Sequence, residues 1–205
     1  MYHDLLMQPG FPVVISAPSG AGKSTVCRKL LARDKRLRYS VSTTTRPPRK
    51  GEKNGRDYFF TDVEDFKRRI HRDEFIEWAL VHDQYYGTPK RFLDDAAAAG
   101  QIVIMAIDVQ GASAIRRKRP NAITVFLLPP SFRSLEERLS HRRQDSAESV
   151  HKRLAHAPEE IRQARHYDYL VVNDSLDRAV RHIESVITAE RLRTARQDLS
   201  ALGIA

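Results

Sequence analysis

The stretch Ala17-Pro18-Ser19-Gly20-Ala21-Gly22-Lys23-Ser24, followed by Thr25, has the residue types of a loop that holds phosphate. The pattern is G-x-x-x-x-G-K-[ST]. Gly22, Lys23 and Ser24 complete it, but Ala17 stands at its first glycine. In such a loop the backbone N–H groups of Gly20, Ala21, Gly22, Lys23 and Ser24 turn around the phosphates of a nucleoside triphosphate. The helix that follows adds the partial positive charge of its N-terminus. Lys23 spans the outer phosphates, and the Ser24 hydroxyl is a ligand for Mg²⁺. At Ala17 a methyl is tolerated if φ is negative and clashes if φ is positive. Three letters of a motif recur by chance. What gives these weight is an apolar run directly before them and helical spacing directly after.

A second cluster follows. "SVSTTTRPPRKGEKNGRDY" carries Ser42, Arg46, Arg49 and Tyr58. Two guanidinium groups and a phenol can hold a dianionic phosphate monoester. Taken alone, the stretch reads equally well as a solvated basic loop. "EFIEWALVHDQYYGTP" tips the balance, because Glu77 sits among Phe75, Ile76 and Trp78, where a carboxylate needs a reason to be. A carboxylate accepts two N–H bonds side by side, and the N1–H and 2-amino edge of guanine offers that pair, whereas adenine does not. The hydroxyls of Ser42 and Thr88 can address other polar atoms of the base. Such a site disfavours adenine by a factor on the order of 10⁴. The alternative for Glu77 is a strand-edge carboxylate facing water.

These groups need elements to position them. Phe11 to Ser16 reads as a buried strand, and Ser24 to Ala32 as a helix with Val26, Leu30 and Leu31 on one face. Leu37 to Ser42 reads as a strand, and Asn54-Gly55 as a turn. Thr61-x-x-Glu64 reads as a capping box, opening a helix with Val63, Phe66 and Ile70 on its apolar face. "FIEWALVHDQYYG" leans to β-structure, and Arg91 to Ala99 to a helix stopped by Gly100. Ile102 to Ile107, Ala122 to Leu128 and Tyr167 to Val172 are apolar enough for strands covered on both faces. Ser131 to Arg143, Ala147 to Arg165 and Asp177 to Arg196 read as helices. From Glu190 onward, alternating charge suggests a solvated or frayed helix end. The alternation predicts an α/β fold, a parallel sheet with helices on both faces. Residues 38–90 form a small antiparallel insert and 131–163 a basic helical pair.

The totals agree with this. A chain of 205 residues with 41% hydrophobic and 30% charged composition suits one soluble domain with inserts. No apolar stretch nears the ~18 residues of a membrane span, and the N-terminus lacks a signal-peptide layout. A single cysteine, Cys27, rules out an internal disulfide framework and reads as a buried, inert thiol; a cytoplasmic location is the default. The formal charge of +9 is spread over separate arginine clusters. That favours small phosphorylated ligands over nucleic acid, which needs charge on one face. The histidines show no metal-ligand spacing; His151 and His156, five apart, fall on different helix faces.

Taken together, the phosphate loop, "SVSTTTRPPRKGEKNGRDY", "EFIEWA", "YYGTP", "IDVQGA" and "VND" resemble the guanylate kinase family in order and spacing, from about Val13 to Arg191. The resemblance implies a P-loop kinase core with a parallel sheet, a GMP-binding insert and a helical lid. It also implies transfer of the ATP γ-phosphate to GMP with Mg²⁺, giving ADP and GDP. ATP would meet Ala17, Pro18, Ser19, Gly20, Ala21, Gly22, Lys23, Ser24 and Thr25, with Asn173 near the adenine. Guanine would meet Ser42, Glu77, Thr88 and Asp108, and the GMP phosphate Arg46, Arg49, Tyr58 and Tyr86. Arg142 and Arg153 would reach from the lid. Lys23, Arg46, Arg49, Arg142 and Arg153 would stabilise the transferring phosphoryl group, which needs alignment and charge neutralisation more than covalent help. One domain over 11–191 follows, with core 11–37, 100–130 and 166–191, insert 38–99, lid 131–165, and 192–205 as a helix end or frayed tail.

The chain departs from the family pattern at Ala17, at Ala106 in place of an acid two residues before Asp108, and at His141 and Arg143, which replace glycines around Arg142. Ala106 predicts weaker metal coupling, not loss of function. Competing readings are a non-catalytic binding module of the same fold, a kinase of a ribose phosphate, and nucleic-acid binding. Intact Lys23 and Ser24 weigh against the first, and Glu77 with Ser42 and Thr88 against the second. The sequence sets no oligomeric state.

Overall fold

The structure, a computed structural model, describes residues 10–81, 83–140 and 147–197. Its first half runs β1 (Pro12–Ser16), α1 (Lys23–Arg33), β2 (Leu37–Ser40), β3 (Thr43–Thr44), β4 (Phe59–Phe60), α2 (Val63–His71), β5 (Phe75–Val81) and β6 (Gln84–Pro89). The second runs α3 (Lys90–Ala98), β7 (Ile102–Ala106), α4 (Val109–Lys118), β8 (Ile123–Leu128), α5 (Phe132–Ser140), α6 (Ala147–Arg162), β9 (Tyr169–Val172) and α7 (Leu176–Leu192).

Five strands form a parallel sheet in the order β2-β7-β1-β8-β9. Every residue of β1 is buried, because both of its faces are covered. Val13 and Ile15 pack with Val26 and Leu30 of α1 and with Val180 and Ile183 of α7. Val14, between them, points the other way, to Leu93 of α3 and Ile115 of α4. The period of two in β1 therefore feeds two apolar layers, and that is why the strand reads as a continuous apolar run. From β1 the sheet extends to β7 and β2 on one side and to β8 and β9 on the other. The loop after β1 thus opens at a switch point, over the carboxyl ends of the strands, where crevices form in open α/β sheets.

A second, mixed sheet has the order β4-β3-β6-β5. Phe66 of α2 anchors it, stacked at 4.6 Å on Phe75 and 5.2 Å on Tyr85. Gly87 makes room for this, since a Cβ there would lie 2.9 Å from the Phe66 ring. Sheet and helix together hold the β5–β6 hairpin against the N-terminal end of α4.

Three sequence expectations change. The cap of α2 is Asp62, whose carboxylate accepts from the Asp65 N–H, not Thr61 with Glu64; the Thr61 hydroxyl instead donates to Asp65. Asp binds the N3 amide at least as well as Thr, so the frame moves by one residue. α4 was not anticipated; it starts at Asp108, whose carboxylate caps it. Glu190 is no solvated tail residue. It is 4% exposed, accepts from the Tyr169 hydroxyl at 2.7 Å and pairs with Arg193 and Arg196. Arg196 lies 4.3 Å over Phe11, so the chain after α7 is docked through residue 197. The rest of the expected tail lies outside the described residues.

Candidate active site

The loop between β1 and α1 bends through Gly20 and Gly22, at φ 92° and 95°. L side chains rarely adopt such backbone. A Cβ at Gly22 would also lie 2.5 Å from Asn173 Nδ2, and one at Gly20 2.9 Å from Leu139. Conformation and space both require glycine there. Ala17 is different: among the described residues positive φ outside glycine occurs only at Asp73 and Asp83. The condition under which a methyl is tolerated is met. Ala21 does not face outward. Its N–H donates to the Pro18 carbonyl at 3.1 Å and its side chain is fully buried. Ala17, Pro18, Ser19, Gly20, Gly22, Lys23, Ser24 and Thr25 line one cleft.

Lys23 Nζ donates to the Ile107 carbonyl at 2.8 Å, next to Asp108. Burial pulls this ammonium below its ordinary range, and the Asp108 charge is the largest opposing influence. Asp108 lines the cleft, and its Oδ1 accepts from Gln110 N–H at 2.7 Å and Gly111 N–H at 3.0 Å. Among the described residues no group of three or more His, Cys, Asp or Glu could hold a metal ion. Besides Glu52 and Glu77 on the opposite wall, the oxygen donors lining the cleft include the exposed Ser24 hydroxyl and the Asp108 and Glu160 carboxylates. These hard oxygens, too few for a protein cage, fit Mg²⁺, which keeps its waters and takes phosphate oxygens.

The opposite wall belongs to the second sheet. Glu77 and Thr88 are paired in register across β5 and β6. A bulge between Phe75 and Glu77 turns the carboxylate inward, so Ile76 and Glu77 are both buried. Burial pushes the Glu77 carboxyl up to about 7, against the pull of its bond from the Thr88 hydroxyl; Asp108 adds to the rise. Thr88 is fully buried and outside the cleft lining, so its hydroxyl serves Glu77. A Cβ at Gly111 would lie 2.6 Å from Glu77 Oε2, so α4 meets the carboxylate only because residue 111 has no side chain.

Ser42, Arg49, Tyr58, Glu77 and Tyr86 line the cleft. The Tyr58 and Tyr86 rings meet edge to face at 6.0 Å, and burial raises the Tyr58 hydroxyl to about 12. Arg46 stands behind this wall, its guanidinium 5.4 Å over Tyr58 and paired with Glu52 at 2.9 Å.

From the helical side, Arg153 and Glu160 of α6 line the same cleft. Burial raises the Glu160 carboxyl, and the adjacent Ser19 amide pulls it back. Arg142, His141 and Arg143 lie outside the described residues. Asn173 is buried under the phosphate loop, its Nδ2 donating to the Ala21 carbonyl at 2.7 Å. Arg138 of α5 donates to the carbonyls of Ala21 at 3.3 Å and Asn173 at 3.1 Å. Arg138, Glu160 and Glu52 were not singled out from the sequence. Arg138 and Glu160 sit on helices whose charged sequences single out no one residue. Glu52 follows Arg46 and Arg49 at steps of three in a polar loop, the one local hint of a shared turn. Cys27 is buried, and its thiol is pushed up to about 12 by burial, as an inert side chain should be.

The arrangement puts a phosphate loop, a lysine, an acid-lined wall and arginines from two further elements around one cleft. It can align two anionic partners end to end. A family model described as guanylate kinase matches residues 10–190. A guanylate kinase of Symbiobacterium thermophilum is 48% identical over 91% of this chain and 89% of its own length. One of Myxococcus xanthus is 46% identical over 100% and 98%. The crystal structure of guanylate kinase from Anaplasma phagocytophilum superposes with a TM-score of 0.81, at 35% identity, covering 94% of this chain and 92% of that one.

Proposed function

The chain belongs to the guanylate kinase family and is an ATP:GMP phosphotransferase; from that premise we propose how its residues divide the reaction. The observation that carries the proposal is the single cleft, lined by the phosphate loop on one wall and by Ser42, Arg49, Tyr58, Glu77 and Tyr86 on the other.

ATP takes the phosphate loop, with backbone N–H groups of Gly20, Gly22, Lys23 and Ser24 on its phosphates and Asn173 supporting the loop from the adenine side. GMP takes the opposite wall. Glu77 accepts from the guanine edge, Ser42 and Asp108 complete base recognition, and Thr88 acts through Glu77. Arg46, Arg49, Tyr58 and Tyr86 hold the GMP phosphate. Lys23, Arg153 and Arg142 bring positive charge to the phosphoryl group in flight, where electrostatic stabilisation contributes most. Mg²⁺, held through Ser24 and the phosphates, supplies further charge neutralisation when bound. Lys23 leaves the Ile107 carbonyl to do its part; that hydrogen bond keeps the ammonium ordered until phosphate arrives.

The parallel sheet is the core in this reading, residues 38–99 the GMP-binding insert, and α5 with α6 the lid. Closure of lid and insert expels water, so that ATP gives its phosphate to GMP and not to solvent. A cytoplasmic location and the absence of a nucleic-acid partner are part of the reading, in keeping with arginines clustered around a small-molecule cleft. No helix among the described residues is long and apolar enough to cross a membrane.

The test is ADP release with ATP and Mg²⁺, offering GMP, AMP, CMP and UMP separately to the wild type and to Glu77→Ala. Turnover with GMP alone, lost or broadened in the variant, supports these roles. Equal turnover of GMP and AMP by the wild type overturns the assignment of Glu77.

A further inference from the structure

Glu52 poses a problem of charge. It lines a cleft built for anions, beside Arg49 and Tyr58. A carboxylate there repels an acceptor phosphate, so it must do something that outweighs the repulsion.

Its hydrogen bonds say what. Both Glu52 oxygens accept from Arg46 Nη2, at 2.9 Å each. Oε2 also accepts from the Arg49 backbone N–H at 2.7 Å. The Glu52 N–H closes the turn by donating to the Arg49 carbonyl at 3.0 Å. Arg46 Nη1 donates to the Pro47 carbonyl at 2.7 Å, and the guanidinium lies over Tyr58 and Phe60. The two side chains are only 10% and 20% exposed. One carboxylate thus fixes a guanidinium and the backbone of a second arginine, in a loop whose Pro and Gly content offers no secondary structure to do so. Ordering a free arginine costs rotamer entropy at the moment of binding. Here that ordering is complete beforehand.

We propose that Glu52 is a positioning residue for the acceptor phosphate: it holds Arg46 and the Arg49 turn in the geometry that receives the GMP phosphate, and so sets acceptor affinity without touching the base or ATP. The inference rests on the reading of Arg46 and Arg49 as phosphate ligands.

The experiment measures GMP, guanosine and ATP affinity for the wild type, Glu52→Gln and Glu52→Asp. Glu52→Gln keeps the shape and removes the charge; Glu52→Asp keeps the charge and shortens the reach. Both are expected to weaken GMP roughly ten- to a hundredfold, the range of a charge-assisted hydrogen bond. Guanosine, which has no phosphate, and ATP are expected to bind each variant within about twofold of the wild type on the same grounds. A merely structural role would weaken all three ligands together, and that result overturns the proposal. So does GMP binding that is unchanged or tighter in Glu52→Gln, which would make Glu52 a repulsive placeholder. If the wild type itself binds guanosine as tightly as GMP, the phosphate-ligand reading of the arginines falls, and the inference with it.

Discussion

The Thr88 hydroxyl donates to the Glu77 carboxylate between two strands in register, at a place where both side chains are buried. A neutral donor meets an acid that burial has pushed up to about 7. On the proposed reading of Glu77 as the acid that reads the base, the pair makes GMP recognition dependent on pH around 7.

Only the carboxylate can accept both N–H groups of a guanine edge. GMP affinity should therefore be full above pH 7 and fall about tenfold per unit below it. ATP affinity, which the proposal assigns to the other wall, should not follow. Thr88 is bonded to Glu77, and the charges of Asp108, Lys118 and Lys23 act on it. Folding stability has the opposite sign. The folded acid holds its proton above the ordinary 4.5, so stability of the ligand-free chain falls as pH rises from there to about 7. KM for GMP and for ATP across this range, with thermal midpoints alongside, checks both statements. Glu77→Gln should flatten the two profiles.

Thr88→Val removes the donor and keeps the shape. The carboxylate loses a bond that favours its charged form, so the midpoint of the GMP profile should move up. GMP affinity at pH 7.5 should fall about tenfold, the worth of one such bond. An unchanged midpoint would mean that the hydroxyl is not what holds Glu77 ionised. The same pH series on the variant decides it.

Gly111→Ala tests the close approach of α4 to Glu77. A methyl there would come 2.6 Å from Oε2, so the carboxylate must turn away. Alanine favours the helix by about 1 kcal/mol over glycine, so the thermal midpoint should hold or rise. kcat/KM for GMP should nonetheless fall by about 10²-fold, as misplacement by an ångström can cost. Discrimination between GMP and AMP should narrow. Stability and specificity moving in opposite directions is the signature to look for.

Much of this is legible in the sequence. The run Val13 to Ile15, followed by Gly20 and Gly22 and then by Val26 and Leu30 at helical spacing, fixes strand, loop and helix by local rules alone. Glu77 stood out because a carboxylate among aromatic residues contradicts its surroundings. What stayed hidden depends on contacts distant in sequence or on a choice between neighbours. Thr61 and Asp62 can both cap a helix, and only the backbone decides. α4 holds Gly111 near its start and a basic last turn, which blurs its apolar face. Glu190 reads as solvated because its partner Tyr169 lies on β9, distant in sequence from the end of α7. Glu52 looked solvated because nothing in a polar loop announces which arginine folds back on it.

Ala106 offers a test of a second departure within the cleft. It lines the cleft together with Asp108 and Glu160, at a position where the family resemblance implies an acid. Ala106→Glu adds a hard oxygen donor near the Ser24 hydroxyl. If weaker metal coupling is what the alanine causes, the Mg²⁺ concentration for half-maximal activity should drop severalfold, with kcat at saturating Mg²⁺ little changed. The carboxylates of Glu52, Glu77, Asp108 and Glu160 already line the cleft, so another acid also brings like-charge repulsion. Should that repulsion dominate, Lys23 would be drawn to the new carboxylate and kcat would fall at every Mg²⁺ concentration. A titration of activity against Mg²⁺, at fixed ATP and GMP, separates the outcomes. A lower half-saturation point assigns the effect of Ala106 to the metal, and a uniform loss of kcat assigns it to the lysine.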